Sequence, residues 1–406
     1  MAQSCNLGCR YCYAWRNDSN SKGTLMPWNV ARQSVDYLVW RSGSRPDLQV
    51  TFFGGEPLLN YPVLKQVVEY GREVEKLGRK KFLFELITNG TLLTKDIVDF
   101  LVKEKFLLFI SIDGWREMHN YQRPSLDKHD CYDTIVANAR YANEQYKLHG
   151  LPAPKVRANL TNKFHDSAAV GKYLESLGFT TIGVGPIEPL SHGDPSPSAL
   201  TEDQADEMSL IADKTMADCL EQLSRGERLG PFLGTQFNKT VQKLEPRTTL
   251  GITCGIGRNT VVVDNKGNLF PCHRYEGMDA FLIGNVFSGL DHEKTMAYYK
   301  KVNGHATENC HDCWIRDYCG GGCAWLLSTI DGHIADPTDR ECNRRRHSVE
   351  RAIWLRSQLH KRFPDRFKED AAVMDNFRWE LTVGKKKPIS LRVLDASPAQ
   401  PKGCSC

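Results

Sequence analysis

Between residues 27 and 184 the chain alternates short β-branched and aromatic runs with longer amphipathic stretches, and this alternation decides the fold class. Pro27 to Trp40, Tyr61 to Lys76, Lys95 to Lys103, Asp130 to Leu148 and Ser167 to Leu177 read as helices, with apolar residues available for one side. Gln49 to Phe53, Phe82 to Thr88, Phe106 to Ile112, Val156 to Leu160 and Thr181 to Val184 read as strands. Strands separated by helices imply βαβ units and a parallel sheet, so the expected class is α/β. Binding residues in such a fold gather at the strand C-terminal ends. Three of the strands end at Gly54-Gly55-Glu56-Pro57, Asn89-Gly90 and Asp113-Gly114. The glycines at 54 and 55 allow backbone to approach a ligand closely, and Glu56 can accept from an ammonium; the plain alternative is a strand-to-helix turn.

A length of 406 residues suggests two or three domains. The net charge of +4 is too slight to argue for nucleic acid or a membrane surface. No stretch approaches the ~18 apolar residues of a membrane span. The N-terminus is polar within four residues, so no signal peptide is read and a cytoplasmic location is expected.

The cysteines carry the chemistry. There are 14, of which three lie at 5–12, seven at 254–342 and two in the last three positions; only Cys131 and Cys219 stand apart. In a reducing compartment such clustering argues for metal ligation over disulfides. Cys5, Cys9 and Cys12 are spaced C-x3-C-x2-C in CNLGCRYCY, with Tyr11 before the last. Three thiolates can hold three irons of a [4Fe–4S] cube and leave the fourth iron open. A structural zinc site would want a fourth ligand, and none is near. The bland alternative is three core cysteines in a loop. The second group runs Cys254, Gly267 and Cys272 as C-x12-G-x4-C, then Cys310, Cys313, Cys319 and Cys323 as C-x2-C-x5-C-x3-C, then Cys342. Thr260 to Phe270 reads as a β-hairpin turning at Asn265-Lys266-Gly267, which would set Cys254 beside Cys272. The three glycines between Cys319 and Cys323 let backbone wrap a bulky group. Zinc in a ribbon-like module is the alternative for this group.

With Tyr11 as its aromatic, the first motif resembles the C-x3-C-x-aromatic-C signature of radical SAM enzymes, and the second group resembles the seven-cysteine pattern of the SPASM domain. Together the resemblances cover residues 1 to about 345. They imply a partial (β/α)6 radical SAM barrel followed by a small Cys-rich SPASM domain. The barrel's first strand is expected to be missing, because only Met1 to Ser4 precede Cys5. The expected division is a barrel at 1–190, a helical connector at 191–250, the SPASM domain at 251–345, and a C-terminal helix with a mobile tail at 346–406. The helix of the connector starts at Thr201, ahead of Glu202 and Asp203, a good N-terminal cap. The basic helix from Asn343 to Phe363 is expected to pack on the SPASM domain with its charged face in solvent.

The resemblance also implies site roles. Cys5, Cys9 and Cys12 would hold the [4Fe–4S] cluster that binds S-adenosylmethionine (SAM). Gly54, Gly55, Glu56 and Pro57 would bind its amino group, Ser111 its ribose or carboxylate, and Arg123 its carboxylate; Arg157 is a weaker candidate of the same kind. One auxiliary [4Fe–4S] cluster would take Cys310, Cys313, Cys319 and Cys342, and a second, with an open site, Cys254, Cys272 and Cys323. Two terminal thiols, Cys404 and Cys406, would be able to reach that open site, or are plain exposed thiols. His273 stands where sulfatase maturases have an aspartate base, so it is either a general base or a packed, cluster-adjacent ring.

The implied activity is reductive cleavage of SAM to a 5′-deoxyadenosyl radical. That radical would take hydrogen from a residue of a peptide or protein substrate and lead to a thioether or carbon–carbon crosslink. Alternatives are an anaerobic sulfatase maturase making formylglycine, and a non-catalytic iron–sulfur electron carrier. Implied partners are the peptide substrate, a flavodoxin or ferredoxin as electron donor, and a separate leader-peptide-binding protein.

Overall fold

The computed structural model of the chain describes residues 1–13, 24–78, 80–187, 196–244, 259–303, 310, 312–319, 323–329 and 331–364. Cys254, Gly320, Gly321, Gly322, Cys404 and Cys406, most of the loop at 186–197 and the tail from 365 lie outside the described residues.

The expected alternation folds as a five-stranded parallel sheet whose strands follow sequence order. Its elements run α1 (Trp28–Arg41), β1 (Asp47–Phe52), α2 (Tyr61–Lys76), β2 (Lys81–Thr88), α3 (Lys95–Lys103), β3 (Leu107–Ser111), α4 (Arg116–Gln122), α5 (Tyr132–Leu148), β4 (Lys155–Leu160), α6 (Ser167–Ser176) and β5 (Thr181–Pro186). Period-two burial along the strands sends Phe52, Phe84, Leu86, Leu108, Ile110, Val156 and Ala158 into one core under the helices. Phe52, Phe84 and Phe106 stack there with centroids 5.5–6.1 Å apart. The opposite face, with Thr51, Glu85, Ser111, Arg157 and Asn159, stays polar and open.

Residues 1–4 take part in this sheet's edge. The Met1 ammonium donates to Phe53 O at 3.0 Å, Gly55 N–H to Ala2 O at 2.7 Å and Glu56 N–H to Ser4 O at 2.9 Å, and Ala2 bridges Gly54 in parallel. The short segment thus runs beside the C-terminal end of β1 in the position expected of a preceding strand. A Cβ on Gly54 or Gly55 would stand 2.3 or 2.1 Å from Ala2 O or Ser4 O. The two glycines therefore admit the chain's own backbone, which uses the N–H groups of Gly55 and Glu56.

The connector helix α7 (Glu202–Ser224) opens with a capping box, Thr201 and Gln204 satisfying each other's backbone N–H groups. It is followed by α8 (Pro231–Gln242), which the sequence reading did not anticipate. Gly171 of α6 leaves room for Phe232 of α8, whose ring would lie 2.4 Å from a Cβ there.

The C-terminal region has a separate core. The hairpin forms as β6 (Val262–Val263) and β7 (Asn268–Phe270), and two further strands, β8 (Gly284–Asn285) and β9 (Gly289–Leu290), complete a four-stranded sheet. Asp264 builds the turn, its carboxylate accepting from Lys266 N–H and Asn268 N–H, both at 2.8 Å. Tyr275, Phe281, Tyr298 and Trp325 fill the core. Among the described residues, α9 (His292–Asn303) is followed by two single turns of helix, α10 (Arg316–Cys319) and α11 (Ala324–Leu327), and then by α12 (Asp339–Arg362).

The packing of α12 corrects one expectation. Val349, Ala352, Leu355 and Leu359 are buried against the connector helices α7 and α8, and Ile353 is exposed. The basic face is paired with acids while staying partly exposed. Arg340 and Arg344 pair with Glu202 and Asp206, Arg351 and His347 with Asp213, and Arg362 with Glu221. The physical reason is the acidic stripe along α7, which attracts the face that the isolated helix pattern would assign to water.

A candidate SAM and iron–sulfur site at the strand ends

The first cysteine loop is bound to the strand ends by hydrogen bonds from every side. Gly8 N–H donates to Pro124 O at 2.8 Å and Arg10 N–H to Gln122 O at 2.9 Å. Asn6 donates to Thr91 Oγ1 at 2.8 Å and accepts from Asn89 Nδ2 at 2.9 Å. The same Asn89 amide lies 3.8 Å from Cys5 Sγ, and Leu7 N–H donates to that sulfur at 3.4 Å. Arg123 brings a guanidinium nitrogen to 4.0 Å from Cys9 Sγ.

Beneath the loop sits a carboxylate that the sequence reading treated only as a strand end. Asp113 is fully buried between β3 and α4. Its Oδ2 accepts from Tyr11 Oη at 2.6 Å, from Gln122 Nε2 at 2.9 Å and from Arg123 Nε at 2.9 Å. Its Oδ1 accepts from Asn159 N–H at 2.9 Å, which reaches β4. Burial would raise the Asp113 pKa, but Arg123, His119 and the hydrogen bonds outweigh it and hold the carboxylate below its ordinary value. Arg123 and Tyr11 are therefore fixed: the guanidinium is buried, paired to Asp113, and 5.4 Å above the Tyr11 ring.

Glu56 is a second buried anchor. Its carboxylate accepts from Leu58 N–H at 3.1 Å, Thr88 Oγ1 at 2.8 Å and Asn89 N–H at 2.8 Å. It thereby caps the 3-10 turn Pro57–Asn60 and ties the end of β1 to the end of β2. Burial pushes its pKa up to about 7, against the three donors. Its oxygens serve the scaffold, so the segment Gly54-Gly55-Glu56-Pro57 acts here as a structural clamp on the cluster loop.

Ser111 ends β3 and pairs in register with Arg157 of β4, and both lie on the open face. Gly183 and Gly185 of β5 give the Arg157 side chain its room, with NH2 3.1 Å from where a Cβ of Gly185 would stand.

The three thiols fit an iron–sulfur cube. Cys5 and Cys12 lie close enough to Cys9 to raise its pKa, and burial together with this repulsion pushes it up to about 12, offset in part by Arg123. Yet no three His, Cys, Asp or Glu side chains among the described residues converge tightly enough for one metal ion.

The second group of cysteines assembles in two places. Cys342, at the start of α12, lies near Cys310 and Cys319; Arg346 contacts Cys313 and Arg345 reaches Cys319 Sγ at 4.0 Å. Cys272 and Cys323 both border Tyr275. No disulfide joins the described cysteines. His273 lies at the junction of the two regions, its ring 5.0 Å from Phe53 and 5.8 Å from Tyr13, with Nδ1 3.8 Å from Cys272 Sγ. Burial and Arg274 lower its pKa to about 4. Tyr13, one residue past Cys12, lies between the His273 ring and the first cluster loop.

Residues 1–152 match the profile of the Radical SAM superfamily. These residues are a radical SAM domain. A cysteine-type anaerobic sulfatase-maturating enzyme of Clostridium perfringens is 25% identical over 346 residues, covering 79% of this chain and 86% of that protein. An uncharacterized protein of Methanocaldococcus jannaschii is 32% identical over 191 residues, and the chain spans 61% of its length. The fold superposes on the solved structure of native anSMEcpe with bound AdoMet at a TM-score of 0.68 and 21% identity, over 89% of this chain and 96% of that one. Over residues 1–152 the chain is thus similar to the Radical SAM superfamily, which implies SAM and a [4Fe–4S] cluster, and over most of its length it is similar to an anaerobic sulfatase maturase. No described helix is long and apolar enough to cross a membrane.

Of the residues singled out in the sequence, Cys5, Cys9, Cys12, Tyr11 and Arg123 come together with Glu56 and Pro57 at one end of the sheet. Asp113, Asn89, Gln122 and Asn6 were missed. The only sequence signal for Asp113 and Asn89 was a polar residue before glycine at a strand end, where a turn alone is an adequate explanation.

Proposed function

We propose that the chain is a peptide- or protein-modifying radical SAM enzyme in which Cys5, Cys9 and Cys12 hold the SAM-binding cluster and the C-terminal cysteines hold two auxiliary [4Fe–4S] clusters. The observation that carries this reading is the packing of the first cysteine loop, through Tyr13, against His273 beside Cys272. Held there by Cys5, Cys9 and Cys12, a [4Fe–4S] cluster with SAM would supply the one-electron chemistry that makes a hydrogen-abstracting radical.

The chain's own residues position and shield that chemistry. Asn89 and Arg123 aim N–H groups at the sulfurs of Cys5 and Cys9, favouring the thiolate forms. Ser111 and Arg157 present a hydroxyl and a guanidinium from the open face toward the carboxylate end of a SAM molecule. Glu56, in this reading, orients the loop from below instead of meeting the ligand. Phe53, Tyr13 and His273 close the loop's rim against water. Cys310, Cys313, Cys319 and Cys342 form one auxiliary set; Cys272 and Cys323, with Cys254, form the other, which has a position open to a substrate group. The substrate is a peptide residue, and the product is a thioether or carbon–carbon crosslink. An outside electron donor, flavodoxin or ferredoxin, and a separate leader-binding protein belong to the same reading.

Formylglycine formation is the second reading, favoured by the near-full-length likeness to a cysteine-type sulfatase maturase. His273 in place of an aspartate weighs against it. Anaerobic reconstitution followed by iron counting and a 5′-deoxyadenosine assay tests the proposal. About twelve irons, four per cube, with 5′-deoxyadenosine formed supports it. About four irons, or no 5′-deoxyadenosine, refutes it. Mass spectrometry of a cysteine-containing sulfatase peptide separates the two readings.

A further inference from the structure

We propose that the surface made by Arg10, Tyr121, Leu126 and Lys163 is the docking site of an acidic protein that delivers one electron from a reduced flavin; this rests on the cluster reading above. The surface directly covers the first cysteine loop. Arg10 lies between Cys9 and Cys12, and its Nε donates to Tyr121 O at 2.7 Å. Leu126 donates its N–H to Asn6 O at 3.2 Å, and its side chain lies 3.1 Å from where a Cβ of Gly8 would stand. A partner resting on Tyr121 and Leu126 is therefore one layer of residues from Cys9.

The chemistry of the surface selects the partner. Tyr121 is 38% and Leu126 53% exposed, so the centre is apolar and accessible. Two cations meet at the one ring: the Arg10 guanidinium carbon is 4.6 Å and Lys163 Nζ 3.7 Å from the Tyr121 centroid. Lys163 Nζ also lies 5.4 Å from the Phe164 centroid. Neither cation is paired with a carboxylate among the described residues. Of the acids that follow Tyr121 in the chain, Asp127 is engaged with Ser125 and His129 and Asp130 with Arg116. A small apolar centre rimmed by cations held in place favours a brief, electrostatically steered encounter with an acidic partner. The transfer itself balances simply. One electron leaves the reduced flavin, which ends one electron more oxidised, and enters the cluster, which ends one electron more reduced; no bond forms or breaks.

The test uses the reconstituted full chain under anaerobic conditions. Bleaching of the cluster absorbance is followed by stopped flow after mixing with reduced flavodoxin, across a range of salt, and separately with dithionite. Lys163→Glu is expected to slow the flavodoxin reaction about tenfold at low salt, Lys163→Gln less, and the differences should close as salt screens the charges. Lys147→Glu, an exposed lysine at the end of α5, should leave the rate unchanged, and dithionite should bleach all four proteins alike. A flavodoxin rate that Lys163→Glu leaves at the wild-type value overturns the proposal, as does equal slowing by Lys147→Glu, which would reduce the effect to net charge. Loss only of peptide binding in Lys163→Glu would reassign the surface to the substrate and overturn it too. Failure of dithionite to bleach the wild-type protein would instead bring down the cluster reading, and this proposal with it.

Discussion

The two groups of cysteines are held in opposite ways. The loop at residues 5–12 lies on a five-stranded sheet with a large core, and backbone and side-chain hydrogen bonds from Pro124, Gln122, Asn89 and Thr91 fix it. The described C-terminal cysteines sit among strands of two or three residues, single turns of helix and the first turn of α12, around a small aromatic core. The difference teaches that the first site is shaped by the protein before any ligand arrives. The second site is expected to take more of its shape from what its thiols bind, because the described backbone around it is mostly short strands and single turns.

The largest expected effect sets the two groups against each other. Cys9→Ala and Cys342→Ala should each cost about four irons per chain. Limited proteolysis should then cut Cys342→Ala within 259–342 while Cys9→Ala keeps the wild-type pattern. Cys9→Ala becoming equally sensitive would break the comparison.

Asp113→Asn comes next. It leaves the Arg123 guanidinium buried without its counter-charge, at a cost of about 3–5 kcal/mol read from urea unfolding. Pre-shaping of the first loop by the scaffold also requires SAM-cluster iron to be lost in this variant, although no thiol is touched.

Glu56→Gln is smaller. The substitution turns an amide NH2 toward one of the donors at Leu58, Thr88 and Asn89, for about 1–3 kcal/mol. Thermal unfolding measures it; a neutral result would mean that the clamp between β1 and β2 does not support the loop.

The smallest effect is a pH dependence in the α7–α12 contact. Burial would raise Asp213, but Arg351 and His347 hold it below the ordinary aspartate value of 3.8. Its folded value is depressed, so its stabilisation is present above the unfolded value and is lost as pH falls through the folded one. Because the pair is partly exposed, the amount is under about 1 kcal/mol. Arg351→Ala should flatten the acid limb of the stability curve below pH 4 by that amount.

How much of this was legible in the sequence follows the same division. The β-branched runs and amphipathic helices gave all five strands of the sheet to within two residues at each end, because period two and period 3.6 are strong local signals. The helix α4 was not read. In REMHNYQ only Met118, His119 and Gln122 turn inward, so no apolar stripe marks it. The helix α8 did carry a signal, Gly230 before Pro231 at its first turn, which passed unnoticed among connector residues. Met1 to Ser4 are too few to show a pattern, and their place beside β1 emerges only from the hydrogen bonds to Phe53, Gly55 and Glu56. The roles of Asp113 and Glu56 are matters of burial. A carboxylate that gathers Tyr11, Gln122, Arg123 and Asn159 draws them from three separate segments, and no local spacing announces such a convergence. The basic face of α12 was misjudged for a similar reason, since its partners on α7 are more than 130 positions away.

Hydrogen–deuterium exchange on the iron-loaded protein, and on the same protein after anaerobic chelation, tests the central claim most directly. The account predicts that peptides from 81–111 keep their protection while those from 262–290 and 310–342 lose it on iron removal. Retained protection in both regions, or joint loss in both, would contradict it.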